Sequence, residues 1–141
     1  MTAGIRINIQ LTVDVDGVPC MKTGKTMVFE AHDEIRKTIP ANTITGGVGI
    51  EVQPGGVGQV QMLLINSTKY GKEDTHVSYS INSSEDTPEN RIKLDSVQVL
   101  MGEGAVGLLG DAPNTLYFYN QTEVDADIHI LVGRQTTPPS P

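Results

Sequence analysis

Three groups of residues in this 141-residue chain have types and spacings that could do chemistry. Gly102, Gly104 and Gly107 carry the G-x-G-x-x-G spacing directly after a stretch that reads as a strand, and Asp125 follows near the distance of a ribose-binding acid. Such a site needs a helix opening at the glycines, because its N-terminal amides receive the pyrophosphate. Gly110 and Pro113 stop a helix there, so the glycines read as bends and residues 102–110 as at most a short strand. Gly24-Lys25-Thr26 supplies the last letters of a phosphate loop, but Pro19 stands where its first glycine belongs. His32 beside Asp33, His76 after Asp74 and His129 beside Asp127 put imidazoles near carboxylates. A metal site needs three or four converging ligands, and none of these has a second ligand at a recognisable spacing; distant strands would have to gather them into a cupin-like centre. No G-x-S-x-G elbow activates a serine. Cys20 is the single cysteine, which excludes an internal disulfide and a C-x-x-C site and leaves a small buried hydrophobe or a spectator near a turn. The expectation is no enzyme, no cofactor and no metal.

The elements that would position any site are strands. Ile5, Ile7, Ile9, Leu11, Val13 and Val15 alternate with Arg6, Asn8, Gln10, Thr12 and Asp14, a period of two that no helix can use. This reads as a strand with one face on the core, so that an aspartate at Ile7 or Ile9 would unfold the domain. Asp16-Gly17 is a turn signal, Val18 to Gly24 a connection, and Lys25 to Glu30 a short strand. Ala31 to Ile39 reads as extended because Pro40 biases Ile39 away from helix. Six glycines between Ala41 and Gly58 call for a bent strand or a long loop. Strands follow at Val60 to Ile65, Val77 to Ile81, Leu94 to Met101, Thr115 to Tyr119 and Ala126 to Val132, with an acidic solvent-facing loop at Ser83 to Asn90. About eight turn-linked strands and no helical period imply an all-β fold, an antiparallel β-sandwich of two packed sheets with Greek-key or jelly-roll-like wiring. Residues 1–134 form one domain and 135–141, with three prolines, a tail or docking arm.

Composition narrows the partners. Ten Lys and Arg against 17 Asp and Glu give a net charge of −7, which repels a phosphate backbone, so no nucleic-acid partner is expected. Aromatic residues make up 4% with no Trp, so the core should be built from Val, Ile, Leu and Met. No apolar run approaches a membrane span and the first residues lack a signal-peptide pattern, so synthesis in a cytoplasm and no membrane partner are expected. Asn66, Asn82 and Asn120 match N-x-S/T and read as chance polar turn or strand-end residues.

What is left is surface. Leu63, Ile65, Leu100 and Leu131 fall on the phase opposite to their neighbours' core face, and the connection holding Val106, Leu108 and Leu109 is oily. Together they are the candidate protein–protein contact, since small monomers seldom expose much contiguous apolar area. The segments Leu94 to Ala105, Leu116 to Asn120 and Ile128 to Arg134 give the chain a texture that resembles the small jelly-roll cement, or decoration, proteins of tailed-bacteriophage capsids. The likeness is strongest over the C-terminal 50 residues and rests on no defining motif. It implies a virion protein on the outer capsid surface, bridging neighbouring major capsid subunits and pairing with itself as a dimer or a trimer. A phage tail, baseplate or fibre-associated β domain would have a similar sequence, and a small carbohydrate-binding or cupin-like domain is the third class; the missing Trp and the in-strand placement of Tyr117 and Tyr119 speak against a sugar platform.

Overall fold

A computed structural model of the chain describes residues 5–29, 31–53, 60–69, 71–72, 75–84, 91–110 and 113–134. The strands are β1 (Ile5–Val15), β2 (Val18–Phe29), β3 (Ala31–Ile39), β4 (Thr43–Glu51), β5 (Val60–Ser67), β6 (Gly71–Lys72), β7 (Thr75–Ile81), β8 (Ile92–Leu94), β9 (Gln98–Met101), β10 (Thr115–Asn120) and β11 (Ala126–Arg134). Among the described residues a single short helix α1 (Glu103–Val106) runs into a 3₁₀ turn at Gly107–Leu109. The chain is therefore all-β with several antiparallel sheets.

Among the described residues the first two strands pair only with each other. Asp16 and Gly17 both take positive φ, 51° and 78°, and this primed turn matches the twist of the strands that it joins. From that turn β2 runs unbroken to Phe29, so residues 18–24 are strand where a connection was expected. Along their length β1 and β2 pack on each other and barely touch the rest of the chain.

Two further sheets make the body. One has the order β3-β11-β5-β9; the other runs β4-β10-β7, with β8 and the two-residue β6 pairing β7. Setting β6 aside, the eight body strands pair first with last (β3·β11), second with seventh (β4·β10), third with sixth (β5·β9) and fourth with fifth (β7·β8). That is the ladder of one long folded ribbon. The ribbon is rolled into two sheets by the pairs β11·β5 and β10·β7.

Side chains from both sheets meet in one apolar cluster containing Ile39, Ile50, Leu63, Ile65, Val77, Tyr79, Leu116, Phe118, Ile128, Ile130 and Val132. The expectation of a core without large rings is corrected: Tyr79 and Phe118 are fully buried cross-strand partners with ring centroids 5.3 Å apart. Rings this large fill more of the gap between sheets than branched aliphatics can. The Tyr79 hydroxyl donates to Gln98 Oε1 at 2.6 Å, and Gln98 Nε2 donates to the Lys93 carbonyl at 2.9 Å, so a buried polar atom is satisfied and β9 is tied to the opposite sheet. Burial pushes the Tyr79 phenol up to about 12. Between the unperturbed value near 10 and this one, the unfolded chain sheds a proton that the folded chain keeps, so stability is whole below about pH 10 and falls as pH rises through that window. In an alkaline absorbance titration the Tyr79 phenol should ionise late and together with unfolding; its titration near pH 10 in folded protein, read as the difference from a Tyr79→Phe variant, would contradict the burial.

Asn120 closes the body at the other end. It is fully buried, its Nδ2 donates to the carbonyls of Ile39 and Val124 at 3.1 and 2.8 Å, and its Oδ1 accepts from the Thr122 amide and hydroxyl at 2.9 and 2.6 Å. One amide thus binds the end of β3 to the β10–β11 corner. Gly46 and Gly47 take φ of 77° and 62° in β4, where the register against β10 slips, and a Cβ on Gly47 would lie 3.1 Å from the Tyr119 ring.

A candidate protein–protein contact surface

The alternating residues of β1 do not face the body core. Residues opposite one another in an antiparallel pair share a face, so Ile7, Ile9, Leu11 and Val13 lie with Met27, Thr23 and Met21 on one side of the β1–β2 ribbon. Arg6, Asn8, Gln10 and Thr12 lie with Thr26 and Lys22 on the other, where the Thr26 hydroxyl donates to Asn8 Oδ1 at 3.3 Å. The reading of Ile7 and Ile9 as core is therefore corrected, because the body closes without β1. With 11 residues in β1 the ribbon is an arm about 35 Å long.

The arm is more buried at its root than toward its tip. At its root Phe29 is fully buried; Ile7, Ile9 and Met27 are half-buried; and farther out Leu11 is 51% and Met21 53% exposed. The root is held by shape. A Cβ placed on Gly133 would meet three carbons of the Phe29 ring at 2.8 Å, so the ring lies flat against bare β11 backbone. Phe29 is not part of the main core cluster. Cys20 sits exposed near the tip, beside the register slip at Val13 and Asp14, which settles it as a surface residue and not a buried hydrophobe.

The face against which Phe29 rests is the outward side of β3-β11-β5-β9. Register puts Gly133, Met62 and Met101 in one outward row, Glu34, Leu131, Leu64 and Val99 in the next, and Arg36, His129 and Asn66 in a third. The first two rows are mainly apolar, with Met62 buried, Leu131, Leu64 and Met101 half-buried and Val99 exposed. The third is polar. Glu34 Oε1 accepts from Arg36 at 3.0 Å and lies 2.8 Å from His129 Nε2. The bond from Arg36, and after it the one from His129, hold the Glu34 carboxyl below the usual carboxylate range. Beyond this row a groove of about 380 Å³ is lined by Arg36, Thr38, Asn66, Asp127 and His129. Thr38 donates to Asp127 Oδ1 at 2.6 Å, so part of this lining is already occupied with itself.

The residues expected to make contacts divide. Leu63 and Ile65 point inward and are fully buried in the core, because β5 pairs with β11 so that Ile65 lies beside Ile130 and Leu63 beside Val132. Leu100, opposite Leu63, is inward too and packs on that core with Leu109. Val106 is buried in it, since the oily connection is α1 and a 3₁₀ turn plugging the sheet end and not a strand. Leu108 is 82% exposed, and Leu131 lies in the outward apolar row. The residues that the spacing missed are Met62, Leu64, Val99 and the arm.

The chemistry weighed from spacing finds this setting. α1 has four residues, opens at Gly102 and has no side-chain cap, too short to concentrate amides on a pyrophosphate. His32 and His129 share the outward face of β3-β11, whereas His76 is on β7 in the other sheet. Among the described residues no three His, Cys, Asp or Glu side chains gather as a metal site, and no helix is long and apolar enough to cross a membrane. The loop at 85–90 and the tail at 135–141 lie outside the described residues. Comparison with protein-family models, with curated proteins and with solved structures found no match to this chain.

Proposed function

We propose that this chain is a structural virion protein: a cement protein with a jelly-roll body that sits on the outside of a tailed-phage head and bridges neighbouring major capsid subunits. The observation that carries the reading is the arm. A two-stranded ribbon is marginal in water by itself, and this one turns a largely apolar face to solvent over its outer part, at Leu11, Val13 and Met21. Such a face gains stability only when another polypeptide covers it, so its use is assembly. The first-with-last, second-with-seventh pairing of the eight body strands supports the jelly roll, which is the rolled form of that ribbon. The choice of a phage head rests on the resemblance of the C-terminal strands to capsid cement proteins.

A module on a pressurised shell helps by holding two subunits at once, because the second contact forms at high effective concentration. The protein added to expanded, undecorated heads should sediment with them and raise their melting temperature. Deleting residues 5–29 should weaken that binding by roughly 10² or more through lost multivalency. Heads that stay bare under saturating protein, or purified virions without the chain, would rule the reading out.

A further inference from the structure

We propose that Arg91, with Lys93 and Ser78, forms an oxyanion site on the outward face of the β4-β10-β7 sheet, where it takes a phosphate or carboxylate group. The site uses neither the arm nor a capsid, and it stands or falls apart from both. Register places Ser78 between Tyr119 on β10 and Lys93 on β8, and because Tyr79 and Leu94 turn into the core, this row turns outward. Arg91, directly before β8, lays its guanidinium over the Tyr119 ring, 3.5 Å from the centroid. The ring is held in place for this. It is fully buried, lies against Gly47, and its hydroxyl donates to the Ser84 carbonyl at 3.0 Å.

What the row lacks is a counter-charge. Arg91 Nε and Nη1 are sealed from solvent without a hydrogen-bond partner, and so is the hydroxyl of Ser78, a residue only 1% exposed. A guanidinium held this way is costly unless an anion balances it, because stacking on a ring replaces only part of the hydration that it loses. Arg36 and Arg134 show the usual remedy, each paired with a carboxylate of β3, Glu34 and Asp33. Among the described residues no carboxylate does this for Arg91. Lys93 is exposed and adds a second positive charge to the same face of a chain whose net charge is −7. Two cations beside an unpaired hydroxyl are the donor set that an oxyanion needs. Arg91 as a whole is only half-buried, which leaves a small ion a way in.

The test follows the Nε–Hε resonance of Arg91 in the isotope-labelled full chain, assigned by its loss in Arg91→Lys. Inorganic phosphate and a Glu-rich peptide are added separately, with ionic strength held constant by chloride. The Arg91 resonance should move saturably while those of Arg6, Arg36 and Arg134 stay where they are. A stronger response to phosphate assigns a free anion, and a stronger response to the peptide assigns a carboxylate on a neighbouring polypeptide. Ser78→Ala should weaken the binding about tenfold, the worth of one hydrogen bond to a charged group. Lys93→Gln, an exposed change that the fold tolerates, should weaken it several-fold. A resonance indifferent to both probes overturns the proposal, as do four arginine resonances that move together, which is screening alone. So does a resonance that moves when Glu85, Asp86 and Glu89 are neutralised and not when anions are added, because the counter-charge then belongs to the chain itself.

Discussion

Ile130→Asp should abolish the folded body, whereas Ile7→Asp should leave it standing. Ile130 is fully buried in the middle of β11, with Ile35 beside it on β3 and Ile65 on β5, and it belongs to the cluster shared by both sheets. A carboxylate there has no partner, and the cost of burying or neutralising it reaches a domain's whole margin of about 5–15 kcal/mol. Even Ile130→Ala should cost about 2–5 kcal/mol through lost burial and the cavity left behind. Ile7 is half-buried on an arm that the body does not pack around. Its replacement by Asp should move the body's stability by less than about 1 kcal/mol, as surface changes do. Urea unfolding followed by tyrosine fluorescence reads the body through Tyr79. Loss of the transition in Ile7→Asp, or its survival unchanged in Ile130→Asp, would contradict this assignment of core and arm.

That pair of variants also marks how far the chain could be read from its residues. The period of two from Ile5 to Val15 correctly announces a strand, and Asp16-Gly17 its hairpin. What alternation does not say is which surface the apolar face meets. A face waiting for a second polypeptide has the same pattern as one that closes its own core, and only the tertiary pairing separates the two. In β5 the difficulty is sharper, because Met62 and Leu64 are as apolar as Leu63 and Ile65. Neither phase is marked in the residues, and the choice is made by β11, whose Ile130 and Val132 lie beside Ile65 and Leu63. The outward contact residues of β5 are Met62 and Leu64, one position out of phase with Leu63 and Ile65.

Elsewhere composition misled for a local reason. The run from Ala105 to Leu109 is oily because Val106 plugs the end of the sheet and Leu109 packs on the core, so only Leu108 is offered to solvent. Gly102, with φ of 95°, lets the chain turn out of β9 into α1, a use of glycine that mimics a nucleotide-loop spacing without the helix such a loop serves. The Glu34, Arg36 and His129 cluster was invisible because Glu34 and His129 are 95 positions apart and meet only through the β3·β11 register. Asn120 looked like a chance polar residue at a strand end. It is at a strand end, and its four hydrogen bonds are why an amide is needed there.

Phe29→Ala should release the arm without unfolding the body. The ring is fully buried but stands outside the main cluster, and it rests on Gly133, where even a methyl group would come within 2.8 Å of it. Removing a buried phenyl costs about 3–5 kcal/mol, and here that loss falls on the docking of the arm root and not on the contact between sheets. At 1.4 kcal/mol per factor of ten, opening of the root becomes about 10²–10³ times more frequent. Proteolytic nicking within residues 5–29 should accelerate accordingly while the body's urea midpoint stays put. Gly133→Ala should act the same way from the other side. β11 is laddered to His32 on one flank and Met62 on the other, so the backbone at Gly133 cannot retreat and the ring must move. If the clash is the cause, Gly133→Ala made on top of Phe29→Ala should add almost nothing, a coupling that a double-mutant cycle reads directly. Additive losses, or a body midpoint that falls while the arm stays protected, would place Phe29 in the core after all.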